Sequence, residues 1–200
     1  MTPPFFAQWE SRALVGEFLA GRDAATDPLW PESGARDAAE YARWASHLCG
    51  MACLRMAMAA RGETLPIHAL RRDVQALGGY VEAGEEIRGL IYAGAVRWLN
   101  RRGIPAGTRL DQPVGELPAL LASGALFIAS VHPLIRQAEA TPPHRGGHLV
   151  LVFGTDAAGR LRFHNPSGDA AATQEDVRLD LPSFERFHAG RGILIPPPHA

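Results

Sequence analysis

At 200 residues the chain is long enough for one sizeable core and short for two. Twenty Lys and Arg against 21 Asp and Glu leave a net charge of −1, so no global basic excess draws it to nucleic acid or to an anionic membrane surface. Hydrophobic residues at 46% and charged residues at 20% give the balance of an ordinary globular domain, and no apolar run approaches the ~20 residues that a membrane helix needs.

The opening Met1-Thr2-Pro3-Pro4-Phe5-Phe6 has neither a charged start nor a long apolar stretch, so a cytoplasmic protein without a secretory signal is expected. Phe5, Phe6, Trp9, Ala13, Leu14, Phe18 and Leu19 recur at helical spacing and predict a helix over 5–20, closed by Gly21-Arg22-Asp23. A loop with Asp27-Pro28 and Pro31-Glu32-Ser33-Gly34 follows, then a short helix over 36–44. From Cys49 to about residue 60 the Met, Ala, Leu and Arg content is strongly helical, with Arg61-Gly62 as a C-cap. Further helices are predicted over 66–77, over 85–102 with Glu85-Glu86 at its N-terminus, and over 117–122.

The character then changes. Residues 125–131 and 148–153 read as buried strands, separated by a polar, Pro- and Gly-bearing loop over 136–147. Residues 160–164 alternate as a third strand, and 190–195 add a last one before the Pro-rich end. Helices first and antiparallel strands afterwards argue an α+β fold, N-terminal helices packed on a C-terminal antiparallel sheet, as a single domain over 1–200.

Three residues suggest chemistry. Cys49 stands where a polar loop gives way to a helix, and free N–H groups and the macrodipole at that end favour a thiolate. Gly50 beside it permits close approach of a substrate backbone. His148 opens an apolar strand after Gly146-Gly147, held with a ring edge free to face a cleft. Asn165 ends the strand after the hairpin, so antiparallel pairing brings it to the same end of the sheet. A thiol that loses its proton to an imidazole, itself held in one tautomer by an amide, is a working nucleophile. Each residue alone also has a plain structural reading: a core cysteine, a strand-end histidine, an Asn-Pro turn.

Cys53 shares a helix face with Cys49, a geometry that disfavours a disulfide, and two free cysteines fit a reducing compartment. His144 precedes His148 by four, but Pro142, Pro143, Gly146 and Gly147 oppose a helix that would place both imidazoles on one metal. No metal or other cofactor is expected. His132, His164 and His188 are read as surface or strand-end residues.

Cys49-Gly50-Met51-Ala52-Cys53-Leu54-Arg55-Met56 resembles the cysteine helix of bacteriocin-processing, double-glycine leader peptidases and their stand-alone relatives. Gly147 to Gly154 is similar to that family's histidine strand, and Phe163-His164-Asn165-Pro166 falls where its members usually carry Asp-Pro. The likeness runs from about residue 45 to 166 and leaves 1–40 as an extension outside it. It implies a papain-like cysteine peptidase fold with Cys49 as nucleophile, His148 as general base and Asn165 as orienting residue. Two departures stand out. Asn replaces the usual Asp, as in papain itself, and Arg43 occupies the place of the glutamine that helps form the oxyanion hole. Arg43, Ser46 and His47 are the side chains nearest in sequence that could serve the oxyanion instead, beside the Cys49 N–H.

The expected function is thiol-dependent hydrolysis of a peptide or amide through an acyl-enzyme on Cys49. Two alternatives stay open: transfer of the same acyl group to an amine in a biosynthetic pathway, and a catalytically idle papain-like domain that binds a peptide.

Overall fold

The computed structural model describes residues 2–197. Helices α1 (Val15–Leu19), α2 (Ala38–Ala45), α3 (Cys49–Ala59) and α4 (Ile67–Ala76) come first. A small hairpin, β1 (Glu82–Ala83) and β2 (Glu86–Ile87), separates α4 from α5 (Tyr92–Arg101). Then follow β3 (Gly107–Arg109), α6 (Leu117–Leu121), β4 (Leu126–Val131), β5 (His148–Thr155) and β6 (Leu161–His164). The chain ends with α7 (Ala171–Gln174), β7 (Val177–Leu179), α8 (Leu181–Phe187) and β8 (His188–Ile195). Strands β3 to β8 form one antiparallel sheet in the order β3-β8-β4-β5-β6-β7.

Both faces of the sheet are covered. Ile128 of β4, Leu149, Leu151 and Phe153 of β5, and Ile193 of β8 face a core shared with α3, α4 and α5. Phe127, Ala129, Val150, Val152 and Phe163 face a second core closed by Leu117 and Leu121 of α6 and by Phe184 and Phe187 of α8. Side chains alternate across a strand, so neighbours in sequence serve different cores. That is why β4, buried at all six positions, is apolar throughout but for Ser130.

The structure departs from the sequence expectation in two helices. Residues 5–20 do not form one helix: the chain is irregular before a short 3-10 turn (Arg12–Leu14) and only α1 is α-helical. The reason is tertiary. The Gln8 N–H donates to the Pro166 carbonyl at 3.0 Å, its side chain donates to the Ala45 carbonyl at 3.0 Å, and the His164 Nε2–H donates to the Pro3 carbonyl at 2.8 Å. Phe5 meets the His164 ring edge-on, Arg55 lies over the Phe6 ring, and Glu10 pairs with Arg55 at 2.8 Å. A segment with partners on several sides has no need of a helix's own bonds. The second departure is α5, which begins at Tyr92 and not near residue 85. Glu85 instead turns the β1–β2 hairpin with Gly84, whose φ of 65° lies in the left-handed region that a two-residue hairpin turn demands.

His132, His164 and His188 stand at strand ends but are buried, not on the surface. No helix among the described residues is long and apolar enough to cross a membrane.

The Glu10–Arg55 pair sets up a stability test, because burial raises the Glu10 pKa while Arg55 opposes the rise. Arg55→Ala leaves a buried carboxylate without its partner and is expected to cost about 3 kcal/mol in urea unfolding. Combining it with Glu10→Gln should recover part of that loss; a purely additive double variant would show that the pair is not coupled.

Candidate active site

Ser46 and His47 carry the chain from α2 into α3, and Cys49 is the first residue of that helix. The N–H groups of Cys49, Gly50 and Met51 have no backbone acceptor among the described residues, as expected at a helix start. Leu149 packs here too: the buried Cys53 thiol, one turn on, donates to its carbonyl at 3.5 Å. Both cysteines are free. Gly50 does not make room for substrate. A Cβ there would stand 2.6 Å from Leu90 Cδ2 and 2.9 Å from Leu149 Cδ1, so its bareness lets the protein's own leucines close on the helix.

His148 opens β5 and is buried. Its Nε2 lies 2.8 Å from Asn165 Oδ1, which can only accept, so Nε2 carries the proton and Nδ1 is the basic nitrogen. The amide is fixed in turn. Its Oδ1 also accepts from the Ser167 N–H at 3.2 Å, and the Asn165 N–H donates to the Gln174 carbonyl at 2.7 Å. Asn165 Nδ2 is buried with no partner among the described residues. Sequence reasoning missed two further neighbours. Ser167 Oγ stands 3.1 Å from His148 Nε2, and Arg136 donates to that hydroxyl at 3.2 Å. Ser167 was findable from turn chemistry, since an Asn followed by Pro favours an Asx turn whose side-chain oxygen takes the N–H two residues on.

Cys49 and His148 line one cleft of about 250 Å³, walled by Leu90 and Tyr92 on the helical side and by Ser130 and Arg191 on the sheet side. Arg43 is not part of this lining. Its guanidinium donates to Glu82 Oε2 and to the Gly84 carbonyl, both at 3.0 Å, which ties α2 to the β1–β2 hairpin. Ser46 is exposed and His47 half-buried, its imidazole pulled below its usual pKa by burial and by Arg43. His144 meets His132 edge-on at 4.6 Å, and no cluster of three or more metal-binding side chains occurs among the described residues.

Burial is the largest influence on the titration of both Cys49 and His148. It pushes the Cys49 thiol up to about 11, although the N–H groups of Leu149, Gly50 and Cys49 act the other way. The expected thiolate preference at the helix start is therefore outweighed, because a charge loses more by leaving water than these donors return. Burial also takes the His148 imidazole down to about 4, assisted by Arg136 and opposed by Asn165. Both shifts favour the neutral forms, with Cys49 half-buried at the edge of the cleft and His148 buried.

A cysteine-bearing helix docked on an antiparallel sheet that carries a paired His and Asn is the architecture of papain-like cysteine peptidase domains, and the chain has that fold. Two solved peptidase domains resemble it. The peptidase domain of Streptococcus ComA, a bifunctional ABC transporter in a quorum-sensing pathway, matches with a TM-score of 0.55 at 18% identity, over 76% of this chain and 93% of that one. A double glycine motif protease from an AMS/PCAT transporter, solved with its leader peptide, matches with a TM-score of 0.48 at 17% identity, over 74% and 84%. No protein-family model matches the sequence, and no curated protein matches it either.

Two variants test this geometry. Asn165→Asp places a carboxylate against Nε2, which favours the imidazolium, so the His148 pKa should climb from about 4 back to or above its ordinary value of ~6.5. An NMR titration of the ring reads it; an unmoved midpoint would show that residue 165 does not contact the imidazole. Gly50→Ala should cost about 1–3 kcal/mol by forcing Leu90 and Leu149 apart, measured by thermal unfolding.

Proposed function

We propose that the protein is a cysteine peptidase-like hydrolase that cleaves a peptide or amide through an acyl-enzyme on Cys49. His148 Nδ1 takes the thiol proton as the sulfur attacks the carbonyl carbon, then returns it to the departing amine. Asn165 holds the imidazole so that Nδ1 stays the free nitrogen. Water, deprotonated by the same nitrogen, releases the acid. The observation that carries the reading is the 2.8 Å contact of Asn165 with His148, which lines the same cleft as Cys49 at its helix start. The likeness to the ComA peptidase domain supports a peptide as the substrate.

Since both reactive groups rest uncharged, the proton moves during attack and not before it. The oxyanion is assigned to the N–H groups that begin α3 without a backbone acceptor, that of Cys49 first, because Arg43 is held by Glu82. Two free thiols accord with work in a reducing, cytoplasmic setting. A second reading has one observation in its favour. The raised thiol pKa and the diverted Arg43 also suit an idle domain that holds a peptide without cutting it.

The test is mass spectrometry of a mixed peptide pool incubated with the protein, with an added amine to reveal acyl transfer. Cys49→Ala should lower turnover by about 10³-fold or more. Cys53→Ala should retain activity and lose only the packing and weak bond of a buried thiol, about 1 kcal/mol. Cleavage that survives Cys49→Ala would rule the reading out, and capture of intact peptide without turnover would favour the idle domain.

A further inference from the structure

The cleft around Cys49 and His148 holds one formal charge in its lining, the guanidinium of Arg191, and no Asp or Glu. Arg191 makes no hydrogen bond or ion pair among the described residues, unlike Arg43, Arg55 and Arg71. Its position depends on an irregularity of the sheet. β8 runs antiparallel to β4 with Gly192 opposite Ala129 and His188 opposite Val131, so three residues of β8 face the single Ser130. Such a bulge re-aims side chains. Gly190 supplies its left-handed turn at φ 67°, and its carbonyl accepts from the Gln112 N–H at 2.8 Å. Buried His188 braces the bulge from beneath, its ring nitrogens 3.1 Å from the Ser130 carbonyl and 3.2 Å from that of Gln112.

The bulge brings Arg191 beside Ser130. A Cβ on Gly146, which has φ 90°, would stand 3.1 Å from Arg191 Nη2 and 3.2 Å from Ser130 Oγ, so the two polar groups converge on one point. The Ser130 hydroxyl has no partner among the described residues and also lines the cleft. A planar guanidinium with an adjacent hydroxyl suits a carboxylate, which accepts from both.

We infer that Arg191 and Ser130 form a carboxylate-binding subsite of this cleft, so that the peptides it takes carry a carboxylate close to the reacting carbonyl. The inference rests on Cys49 being the nucleophile of the proposed function. The carboxylate belongs either to an acidic side chain or to the end of the peptide.

The probes are iodoacetate and iodoacetamide, which alkylate the same thiol and differ in one negative charge. On a Cys53→Ala background, the ratio of the iodoacetate rate to the iodoacetamide rate at Cys49 should fall about five-fold in Arg191→Gln, the size of an exposed ion pair. It should fall less in Ser130→Ala, and the Arg191 advantage should shrink as salt screens the charge. A ratio that Arg191→Gln leaves in place overturns the subsite while the proposed function stands. A Cys49 inert to both reagents up to pH 10 overturns both. Protection of Cys49 from iodoacetamide by capped peptides then identifies the source. Better protection by a Glu than by a Gln peptide assigns a side-chain carboxylate, and better protection by a free C-terminus than by its amide assigns the chain end. Equal protection within both pairs overturns the inference.

Discussion

The first turn of α3 and the first residues of β5 meet at Gly50 and Leu149, and the cleft exists because they meet so closely. Leu149 occupies the space that a side chain on residue 50 would take, while its carbonyl accepts from Cys53 one turn along. With the helix docked at that height, Cys49 and His148 open into the same cavity even though they come from different halves of the chain. Leu90, the second occupant of the space beside Gly50, carries the segment before α5 onto the cleft as its opposite wall. Helix docking and the placing of Cys49 beside His148 are thus one packing problem, solved by a missing methyl group.

The same closeness sets the electrostatics. A thiol and an imidazole taken out of water both prefer their neutral forms, and Arg136, reaching His148 through Ser167, disfavours the imidazolium further. An amide at residue 165 does not supply the negative charge that a carboxylate would. The site is therefore built to hold an orientation more than to hold a charge. That division follows from Asn165 having its oxygen in use twice and its nitrogen not at all.

How much of this was legible in the sequence depended on the range of the forces involved. The central strands and α2, α3 and α4 were readable within about two residues because apolar pattern and local caps specify them. The hairpin order of β5 and β6 sufficed to bring Asn165 toward His148. Residues 5–10 misled because Phe5, Phe6 and Trp9 fall at helical spacing by coincidence, each serving a different neighbour. Glu85-Glu86 misled because acidic residues suit a helix start and an exposed hairpin alike. The short β3 and β7 went unseen, since three-residue edge strands carry no period to detect. Protonation was the least readable feature. The charge preference of Cys49 follows from the apolar side chains packed around it, which composition does not record.

The N-terminal segment gives the molecule a particular order of assembly. Pro3 receives its bond from a residue 161 positions later, and Gln8 is anchored by Pro166. During synthesis the Pro3 carbonyl and the Gln8 N–H wait for residues 164–166, although the Gln8 side chain meets Ala45 much earlier. Contacts so distant in sequence form late and close slowly, since the intervening loop must be ordered first. The loop behind His148 is thus pinned by the oldest and the youngest parts of the polypeptide together. A half-made chain carries Cys49 without His148 or Asn165, so the cleft between them takes shape only after the second half of the sheet has been made.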